Sequence, residues 1–273
     1  MPGQKQLPTW VKLIASIFLF NLYSNSVFAD HNMGVFPHLP PRDLEKVFSP
    51  MAADLGKVLG HRLLLRSNTT YSKFMENLDK EVFDIAFVQP FDYVRIADKY
   101  GYIPLATRTE MLSAILVTKD DSPMNSIKDL KGKKIALPPK VSAVSKLMES
   151  HLRKNGLIPG KDVTLSYHRS HVSCMQQIMI GEADTCTTAA PAMRFFQHKM
   201  NVKLKIIASS QKIPHTLFAI HPRIPKAERE RVRKRILGWS KTDEGKALLK
   251  RGKLKPFRKV SDSDYDIVRK LAK

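Results

Sequence analysis

Short apolar segments alternate with longer amphipathic segments along most of the chain. Residues 42–59 carry apolar side chains three and four positions apart, which is the spacing of one face of a helix. Residues 83–88 form a short and mainly apolar run, which is typical of a buried strand. By the same criteria, further strands are predicted at residues 33–36, 62–66, 111–118, 133–137, 163–168, 183–187, 203–208 and 216–220. Further helices are predicted after Thr70, at residues 91–100, 143–155, 171–180 and 190–198, and through most of the segment after residue 222.

This alternation predicts an α/β protein whose mostly parallel sheets are flanked by helices, because parallel strands need a crossover that is usually a helix. The pattern runs through the chain twice, so we expect two α/β lobes with a ligand cleft between them. Lobe 1 is predicted from residues 30–112 and 214–273, and lobe 2 from residues 113–213. The chain would cross between the lobes at residues 109–118 and 207–216.

The first 29 residues have the pattern of a secretory signal peptide. Two lysines make a basic start, residues 13–22 are apolar, and Ala29 ends a small-residue motif that favours cleavage before Asp30. The apolar run has about half the length that a membrane span needs, so a cleaved signal is favoured over an uncleaved anchor. We therefore predict a chain that is exported and that begins at Asp30 after processing.

Basic residues outnumber acidic ones, with 46 Lys and Arg against 25 Asp and Glu and a formal net charge of +21. Such an excess favours anionic partners through the summed electrostatic field. The basic run at residues 229–235 would indicate nucleic-acid binding in a cytosolic protein, but an exported protein meets little nucleic acid. We interpret the run as the solvated face of a helix, with attraction to an anionic membrane surface as a weaker alternative. No nucleic-acid partner is expected.

The loops that follow the predicted strands are where a ligand is expected. In α/β sheets, ligands lie beyond the carboxyl ends of the strands, where the backbone N–H groups of helix starts point outward. This rule selects five loops before any relative is considered. They are residues 37–39, 67–71, 89–91, 138–142 and 169–171. In a two-lobed protein these loops would converge on the cleft.

Five stretches of the chain resemble the periplasmic substrate-binding proteins of ABC importers for phosphonate, phosphite and phosphate. They are GVFPHLPPRDLEKVFSPMAADLGKVLG at 34–60, Thr69-Thr70-Tyr71 with FDIAFVQPFDYV at 83–94, DLKGKKIALPP at 129–139, Ser170-His171 with GEAD at 181–184, and LKPFRKVSDSDYDIVRKL at 254–271. The resemblance covers nearly all of the chain after the predicted signal peptide. It implies a monomeric type II periplasmic binding protein, in which two lobes close over a small anion that an inner-membrane ABC permease then receives.

The resemblance also implies roles for particular residues. Tyr71 and His171 match a tyrosine and a histidine that contact the ligand in the family. The turn at residues 141–145 matches a hydroxyl-rich turn at a helix start, of which Ser142 remains here. Gln89 stands where the family usually has glycine, and residues 214–216 stand where it has an acidic residue. These departures leave the identity of the anion open and suggest fewer direct bonds to it or a larger organic part.

A tetrahedral oxyanion needs several converging hydrogen-bond donors. The N-terminus of the helix predicted at 143–155 offers free N–H groups and a partial positive charge. The side chains add hydroxyl, phenol, imidazole, amide and ammonium donors. The predicted ligand-binding residues are His38, Thr70, Tyr71, Gln89, Tyr93, Lys140, Ser142 and His171.

Several of these residues also have a purely structural interpretation, which the sequence leaves open. Tyr71 and Tyr93 can pack a helix against a sheet, Ser142 can serve only as a helix cap, His171 can cap a helix at the surface, and Lys140 can be solvated. A sensor that docks on a membrane receptor likewise remains an alternative to transport.

The remaining reactive residues predict no further chemistry. His168 and His171 would not share a face on a strand-to-helix turn, so no metal site is expected there. No set of acid, base and nucleophile is present, so we expect neither an enzyme nor a cofactor. Whether Cys174 and Cys186 form a disulfide stays open, because export permits the bond but its geometry is demanding.

Overall fold

Two main β-sheets organise the chain, and the computed structural model describes residues 30–68 and 70–272. The predicted signal peptide lies outside the described residues. Within the described part, no helix combines the length and the apolar character that a membrane crossing requires.

The strands and helices follow the predicted alternation closely. The strands are β1 His31–Val35, β2 Leu63–Arg66, β3 Ile85–Val88, β4 Ile103–Arg108, β5 Met111–Leu112, β6 Ile115–Lys119, β7 Lys134–Leu137, β8 Thr164–Tyr167, β9 Thr185–Thr188, β10 Leu204–Ser209, β11 Ile213–Pro214, β12 Leu217–Ile220 and β13 Phe257–Lys259. The α-helices are α1 Pro41–Leu59, α2 Tyr71–Asp79, α3 Pro90–Tyr100, α4 Ala143–Lys154, α5 His171–Ile180, α6 Ala190–Met200, α7 Lys226–Gly238, α8 Asp243–Arg251 and α9 Asp266–Ala272. Short 3-10 turns occur at Ile127–Leu130 and Asp262–Tyr265.

The first sheet, sheet 1, has the strand order β13-β4-β12-β3-β1-β2. Strand β1 pairs in parallel with β2 and β3, whereas β12 runs antiparallel between β3 and β4. The second sheet, sheet 2, has the order β10-β6-β9-β7-β8, with β7 parallel to both neighbours and β6 antiparallel to both of its own. Both sheets are therefore mixed, with fewer parallel pairs than the alternation of strands and helices suggests.

The chain passes from sheet 1 to sheet 2 and back through two short paired strands. After β4 the chain runs through β5 into β6, and after β10 it returns through β11 into β12. Strands β5 and β11 pair with each other in antiparallel register, with Leu112 facing Ile213. The segment 111–118, which the sequence predicts as one strand, is thus divided into β5 and the start of β6.

The apolar core has parts on both sheets. One buried cluster packs α1 against sheet 1 and includes Phe48, Phe87 and Trp239. A second cluster runs from sheet 1 through Leu112 and Ile213 to the underside of α4. Because this cluster continues through the paired connecting strands, the two sheets share buried contacts on one side of the cleft.

A disulfide joins helix α5 to strand β9 of sheet 2. Cys174 on α5 and Cys186 on β9 are bonded, with their Cα atoms 5.8 Å apart, and both side chains are fully buried. The structure therefore settles the pairing that the sequence left open. The bond anchors α5 to β9, and the first residue of α5, His171, contributes to the cavity described below.

Candidate functional site

A cavity of about 560 Å³ lies where the carboxyl ends of strands from both sheets face each other. Segments that follow β1, β2, β3, β7, β8 and β9 all contribute to its wall, together with Arg108 at the end of β4. Of the predicted ligand-binding residues, six line this cavity: His38, Thr70, Tyr71, Gln89, Ser142 and His171. The structure therefore brings together side chains that are up to 133 positions apart in the sequence, between His38 and His171.

The lining of the cavity combines arginine and histidine side chains with apolar ones. Its ionisable side chains, apart from Tyr71, are two arginines and three histidines, and none of its described lining residues is acidic: Arg108, Arg169, His38, His171 and His215. The apolar part of the wall consists of aromatic and aliphatic side chains, which include Phe36, Phe87, Leu112, Val141, Val144 and Leu254. Such a lining suits an anion that also carries an apolar portion.

Helix α4 begins at the cavity, and Ser142 is its N-cap. The Ser142 hydroxyl accepts from the backbone N–H of Ser145 at 3.2 Å, which satisfies one of the free donors of the first turn. The predicted cap interpretation is thus confirmed, and Ser142 also lines the cavity.

The side chain of Gln89 reaches across from the end of β3 to the same helix start. Its Oε1 atom accepts from the N–H of Ala143 at 2.9 Å, and its Nε2 atom donates to the carbonyl of Val141 at 3.3 Å. Gln89 follows sheet 1, whereas residues 141–143 follow sheet 2, so these bonds join the two sides of the cleft. The side-chain oxygen of Gln89 thus already accepts the hydrogen bond that the first N–H group of α4 can donate.

The hydroxyl group of Tyr71 is held by a neighbouring carboxyl group. It donates to Oδ1 of Asp92 at 2.5 Å and accepts from Nε2 of Gln89 at 3.3 Å. Burial and the neighbouring Asp92 raise the pKa of Tyr71, so the phenol stays protonated. Burial also raises the pKa of Asp92, whose second oxygen is buried without a hydrogen-bond partner in the described part of the chain. Tyr71 can therefore donate to a ligand, as predicted, only if its hydroxyl group breaks the hydrogen bond to Asp92.

Helix α5 begins beside α4 and offers a different set of groups. Ser170 is its N-cap and accepts from the N–H of Ser173 at 3.0 Å. The His171 side chain places Nδ1 2.9 Å from the hydroxyl oxygen of Thr188, and burial lowers the pKa of the imidazole. Arg169 is exposed at the cavity wall and has no hydrogen-bond or ion-pair partner among the described residues.

His38 and Thr70 complete the predicted residues that line the cavity. His38 stacks on Phe36, with ring centroids 4.4 Å apart, and its Nδ1 lies 2.9 Å from the Phe36 carbonyl oxygen. Thr70 caps α2 by accepting from the N–H of Lys73 at 3.1 Å, as its position before a helix predicts. Both residues stand at the exposed mouth of the site.

Two predicted residues lie outside the cavity. Tyr93 is fully buried, donates its hydroxyl to Asp262 at 2.6 Å and packs on the ring of Tyr265. Its helix turns this side chain toward the C-terminal segment, where Tyr93 packs in the core instead of lining the cavity. Lys140 is exposed and holds its ammonium group over the ring of Tyr167, 5.7 Å from the centroid, and neither residue lines the cavity.

Three cationic or titratable lining residues are missing from the predicted set. Arg169 lies in the loop 169–171 that the strand-end rule selects, from which only His171 is predicted as a ligand contact. Arg108 ends β4, a strand that the apolar pattern does not reveal, and it donates to Glu110 at 2.7 Å. Burial, followed by the positive charge of Arg108, lowers the pKa of His215 to about 4. His215 lies in the segment recognised only as a departure from the family.

A family model described as "ABC transporter, phosphonate, periplasmic substrate-binding protein" matches residues 33–265 of the chain. The chain belongs to this family. A member is the substrate-binding component of an ABC transporter, which acts in the periplasm and presents its ligand to a permease. The predicted family and its general function are therefore confirmed.

Comparisons with known proteins agree with this membership. The phosphonates-binding periplasmic protein of Escherichia coli (strain K12) is 20% identical over 284 residues, which cover 96% of this chain and 84% of the relative. PhnD1 from Prochlorococcus marinus (MIT 9301), solved with methylphosphonate, is 17% identical with a TM-score of 0.72, covering 89% of this chain and 96% of that one. XAC2383 from Xanthomonas citri, solved with ATP, is 14% identical with a TM-score of 0.74, covering 89% and 95%.

These structural similarities establish the fold of this phosphonate-family binding protein. The neighbours are two-lobed type II periplasmic binding proteins, and the two sheets with the cavity between them fit that architecture. The predicted fold class is confirmed.

Proposed function

We propose that this binding protein captures a phosphonate, phosphite or phosphate-like oxyanion in the cavity between its lobes and delivers it to an ABC permease. The observation that carries the proposal is the lining of the cavity, which holds Arg108, Arg169 and three histidines and no acidic side chain among the described lining residues. The positive charge of Arg169, which has no acidic partner among the described residues, attracts anions to the cleft, and the histidines add imidazole hydrogen-bond donors. Two helix N-termini at the same wall add partial positive charge without full charges.

The hydrogen-bond donors suit a tetrahedral anion with three or four oxygen atoms. Arg169 offers a fork of N–H groups with no partner among the described residues, and a guanidinium binds two oxygens of a phosphorus oxyanion at once. His171 adds an imidazole N–H, and a bound anion would raise the lowered pKa of this group. Each charge-assisted bond contributes about 1.5–3 kcal/mol net, so a few of them give micromolar affinity.

The size of the cavity points to a ligand with an organic part. A volume of about 560 Å³ falls within the range of roughly 300–1,000 Å³ that is usual for small-molecule sites. A phosphate ion alone would leave the apolar wall at Phe36, Phe87 and Leu254 in contact with water. Two relatives of this fold were solved with methylphosphonate and with ATP, which differ greatly in size. We therefore favour an organophosphonate or a phosphate ester with an apolar substituent.

Closure of the lobes accounts for both capture and release in this proposal. Contacts such as Gln89 to Ala143 exist only while loops of sheets 1 and 2 face each other closely. A ligand that bonds to groups on both sides stabilises this closed arrangement by its differential affinity for it. Closure also excludes water, which strengthens each polar contact inside.

Calorimetric titration and thermal unfolding with a panel of anions test the proposal. The panel contains phosphate, phosphite, methylphosphonate, phenylphosphonate and ATP, with sulfate and acetate as controls for general anion effects. We expect at least one phosphorus oxyanion to bind with one site per chain and to raise Tm by about 5–10 °C at a hundredfold excess over Kd. Absence of binding across all phosphorus oxyanions, or equal effects of sulfate and acetate, would contradict the proposal.

A further inference from the structure

Three side chains with metal-binding atoms meet at the end of sheet 1 that lies opposite the cavity. His31 begins β1, His61 lies just before β2, and Glu228 lies in the first turn of α7. One ligand atom from each of these residues lies within 4.8 Å of the other two. None of the three lines the anion cavity, which opens at the carboxyl ends of the same strands.

A buried carboxylate lies beside the ring of His31. Its Nδ1 atom lies 3.5 Å from Oδ1 of Asp84, whose side chain is only 8% exposed. Asp84 is itself held by the backbone N–H of Asn32 at 2.7 Å and by Nε of Arg223 at 2.8 Å. A carboxylate behind one imidazole nitrogen is the usual outer shell of a metal-bound histidine, because it fixes the ring and leaves the other nitrogen for the ion.

The two imidazole rings are in direct contact with each other. The His31 and His61 rings meet edge to face with centroids 5.1 Å apart. His61 also lines a second cavity of about 580 Å³ between α1 and β2, so space for water lies beside this ring. Both histidines are half-buried, which limits competition from bulk water.

The carboxylate of Glu228 is available for a further bond. It makes no hydrogen bond in the described part of the chain, and its nearest cation is Nη2 of Arg231 at 3.8 Å. Arg231 is itself anchored through Nε to the carbonyl oxygen of Val58 at 3.2 Å. The side chain of Glu228 is 21% exposed, so it can turn toward the two histidines without leaving a buried position.

We propose that His31, His61 and Glu228 form a binding site for a divalent transition metal ion of the Zn²⁺ class. Two imidazoles and one carboxylate are a donor set that Zn²⁺ uses in proteins, whereas Mg²⁺ and Ca²⁺ prefer oxygen ligands alone. The site carries one negative charge when both histidines are neutral, which favours a cation despite the nearby Arg231. The ion would tie the first strand and the α1–β2 connection to α7, and so join parts of lobe 1 that are 167 to 197 positions apart.

The site was beyond the reach of sequence patterns. From the sequence, metal binding is considered only at His168 and His171, and no two of His31, His61 and Glu228 are close enough in sequence to make a recognisable motif. Only the packing of α7 beside the amino ends of β1 and β2 brings them together.

Zinc titration of the exported protein, purified without a polyhistidine tag and treated with EDTA, tests this site. Calorimetry and thermal unfolding are carried out in HEPES buffer, with ZnCl₂, MgCl₂ and CaCl₂ in separate experiments. We expect one Zn²⁺ per chain and a rise in Tm of about 5–10 °C at a hundredfold excess over Kd, with little effect of Mg²⁺ or Ca²⁺. No Zn²⁺ binding, or equal stabilisation by Mg²⁺, would overturn the proposal.

Matched variants locate the bound ion. His31→Asn and Glu228→Gln should each weaken Zn²⁺ binding by about tenfold or more. Glu230→Gln lies on the same helix and contacts Arg233, and His198→Asn is an exposed histidine on α6, so both should bind Zn²⁺ as the unaltered protein does. The melting temperatures of all variants in EDTA check their folding. Zn²⁺ affinity that survives both His31→Asn and Glu228→Gln in folded protein would place the ion elsewhere and refute the site.

Discussion

The two helices that begin at the cavity, α4 and α5, start alike but have different neighbours. Each follows a strand of sheet 2 and each has a serine N-cap, Ser142 for α4 and Ser170 for α5. At α4 the first helical N–H, that of Ala143, donates to the side chain of Gln89. At α5 no described side chain accepts from the N–H of the first residue, and a histidine and an arginine stand there instead.

This difference indicates where an anion would find the strongest contacts. At α4 an incoming oxyanion must displace the amide oxygen of Gln89, whereas at α5 the donors of Arg169 and His171 face the cavity directly. A bond to a charged oxygen is roughly twice as strong as a neutral one, so displacement at α4 is feasible but reduces the net gain. The donors at the start of α5 should therefore provide most of the binding free energy, and Gln89 should reduce the contribution of α4.

Removal of the two donors at α5 is expected to have the largest effect. The double variant Arg169→Gln, His171→Asn should weaken binding of the best anion of the panel by about 100-fold or more, because two charge-assisted bonds of about 1.5–3 kcal/mol each are lost. Calorimetric titration measures the change in Kd. Arg194→Gln removes an exposed arginine on α6 as a matched control for net charge and should bind normally. Equal affinity of the double variant and the control would mean that the anion does not bind at α5.

The second prediction concerns the amide group at α4. Gln89→Ala frees the N–H of Ala143, so a small anion such as methylphosphonate should bind about two- to tenfold more tightly, the equivalent of one competing hydrogen bond. Calorimetry on the variant and on the unaltered protein measures the ratio. A loss of affinity would contradict this expectation, and, if the scattering experiment below finds an unchanged radius of gyration, it would mean that Gln89 donates to the ligand itself, as the sequence predicts.

The same variant also tests the contact across the cleft without any ligand. Because Gln89 bonds to residues 141 and 143 from the opposite sheet, its removal should shift the ligand-free protein toward an open arrangement. Small-angle X-ray scattering would detect a larger radius of gyration. An unchanged radius would show that Gln89 does not hold the lobes together.

The sequence predicts which loops meet at the cavity where those loops follow the ends of strands. Ser142 and His171 were found because parallel strands β7 and β8 deliver their following loops to one edge of the sheet. The strand-end rule also selects the loops of Tyr71 and Gln89, but the bonds of these side chains to Asp92 and Ala143 depend on tertiary contacts. The pattern thus predicts which loops converge, while it does not predict which donors are already in use.

The sequence does not predict the position of some residues, and the physical reason can be given for each. Arg108 ends β4, whose sequence IPLATR contains a proline and two polar residues and so lacks a clear strand pattern. Tyr93 was expected in the cleft, but its partner Asp262 is 169 positions away, which no local spacing reveals. Antiparallel strands such as β12 also return from the far end of the chain, so the sheets are more mixed than local alternation suggests.

A third and smaller effect is expected from the two serine caps. Ser142→Ala and Ser170→Ala should each lower the free energy of unfolding by about 1 kcal/mol, because each removes a bond to an N–H of the first helical turn. Anion affinity should fall more for Ser170→Ala than for Ser142→Ala if the α5 side binds the anion. Chemical denaturation and calorimetry on the same samples separate the two effects, and the reverse order of affinities would place the anion at α4.

The smallest expected effect is a dependence of folding stability on pH, which comes from histidines of the cavity and not from the start of α4. The pKa of His171 is lowered by burial, and that of His215 is lowered to about 4, whereas no titratable side chain caps α4. Since the unfolded chain binds protons near pH 6.5 and the folded one does not, stability is complete above that pH and falls as the pH drops toward the folded values. Each fully shifted histidine accounts for less than about 1 kcal/mol between pH 7 and pH 6, which thermal unfolding can measure.

A bound anion raises the pKa of His171, so the gain in Tm on ligand addition should grow as the pH falls, and this growth should be smaller in His171→Asn. An equal pH dependence in that variant would mean that the anion does not contact His171, since the titration of the ligand itself is common to both proteins.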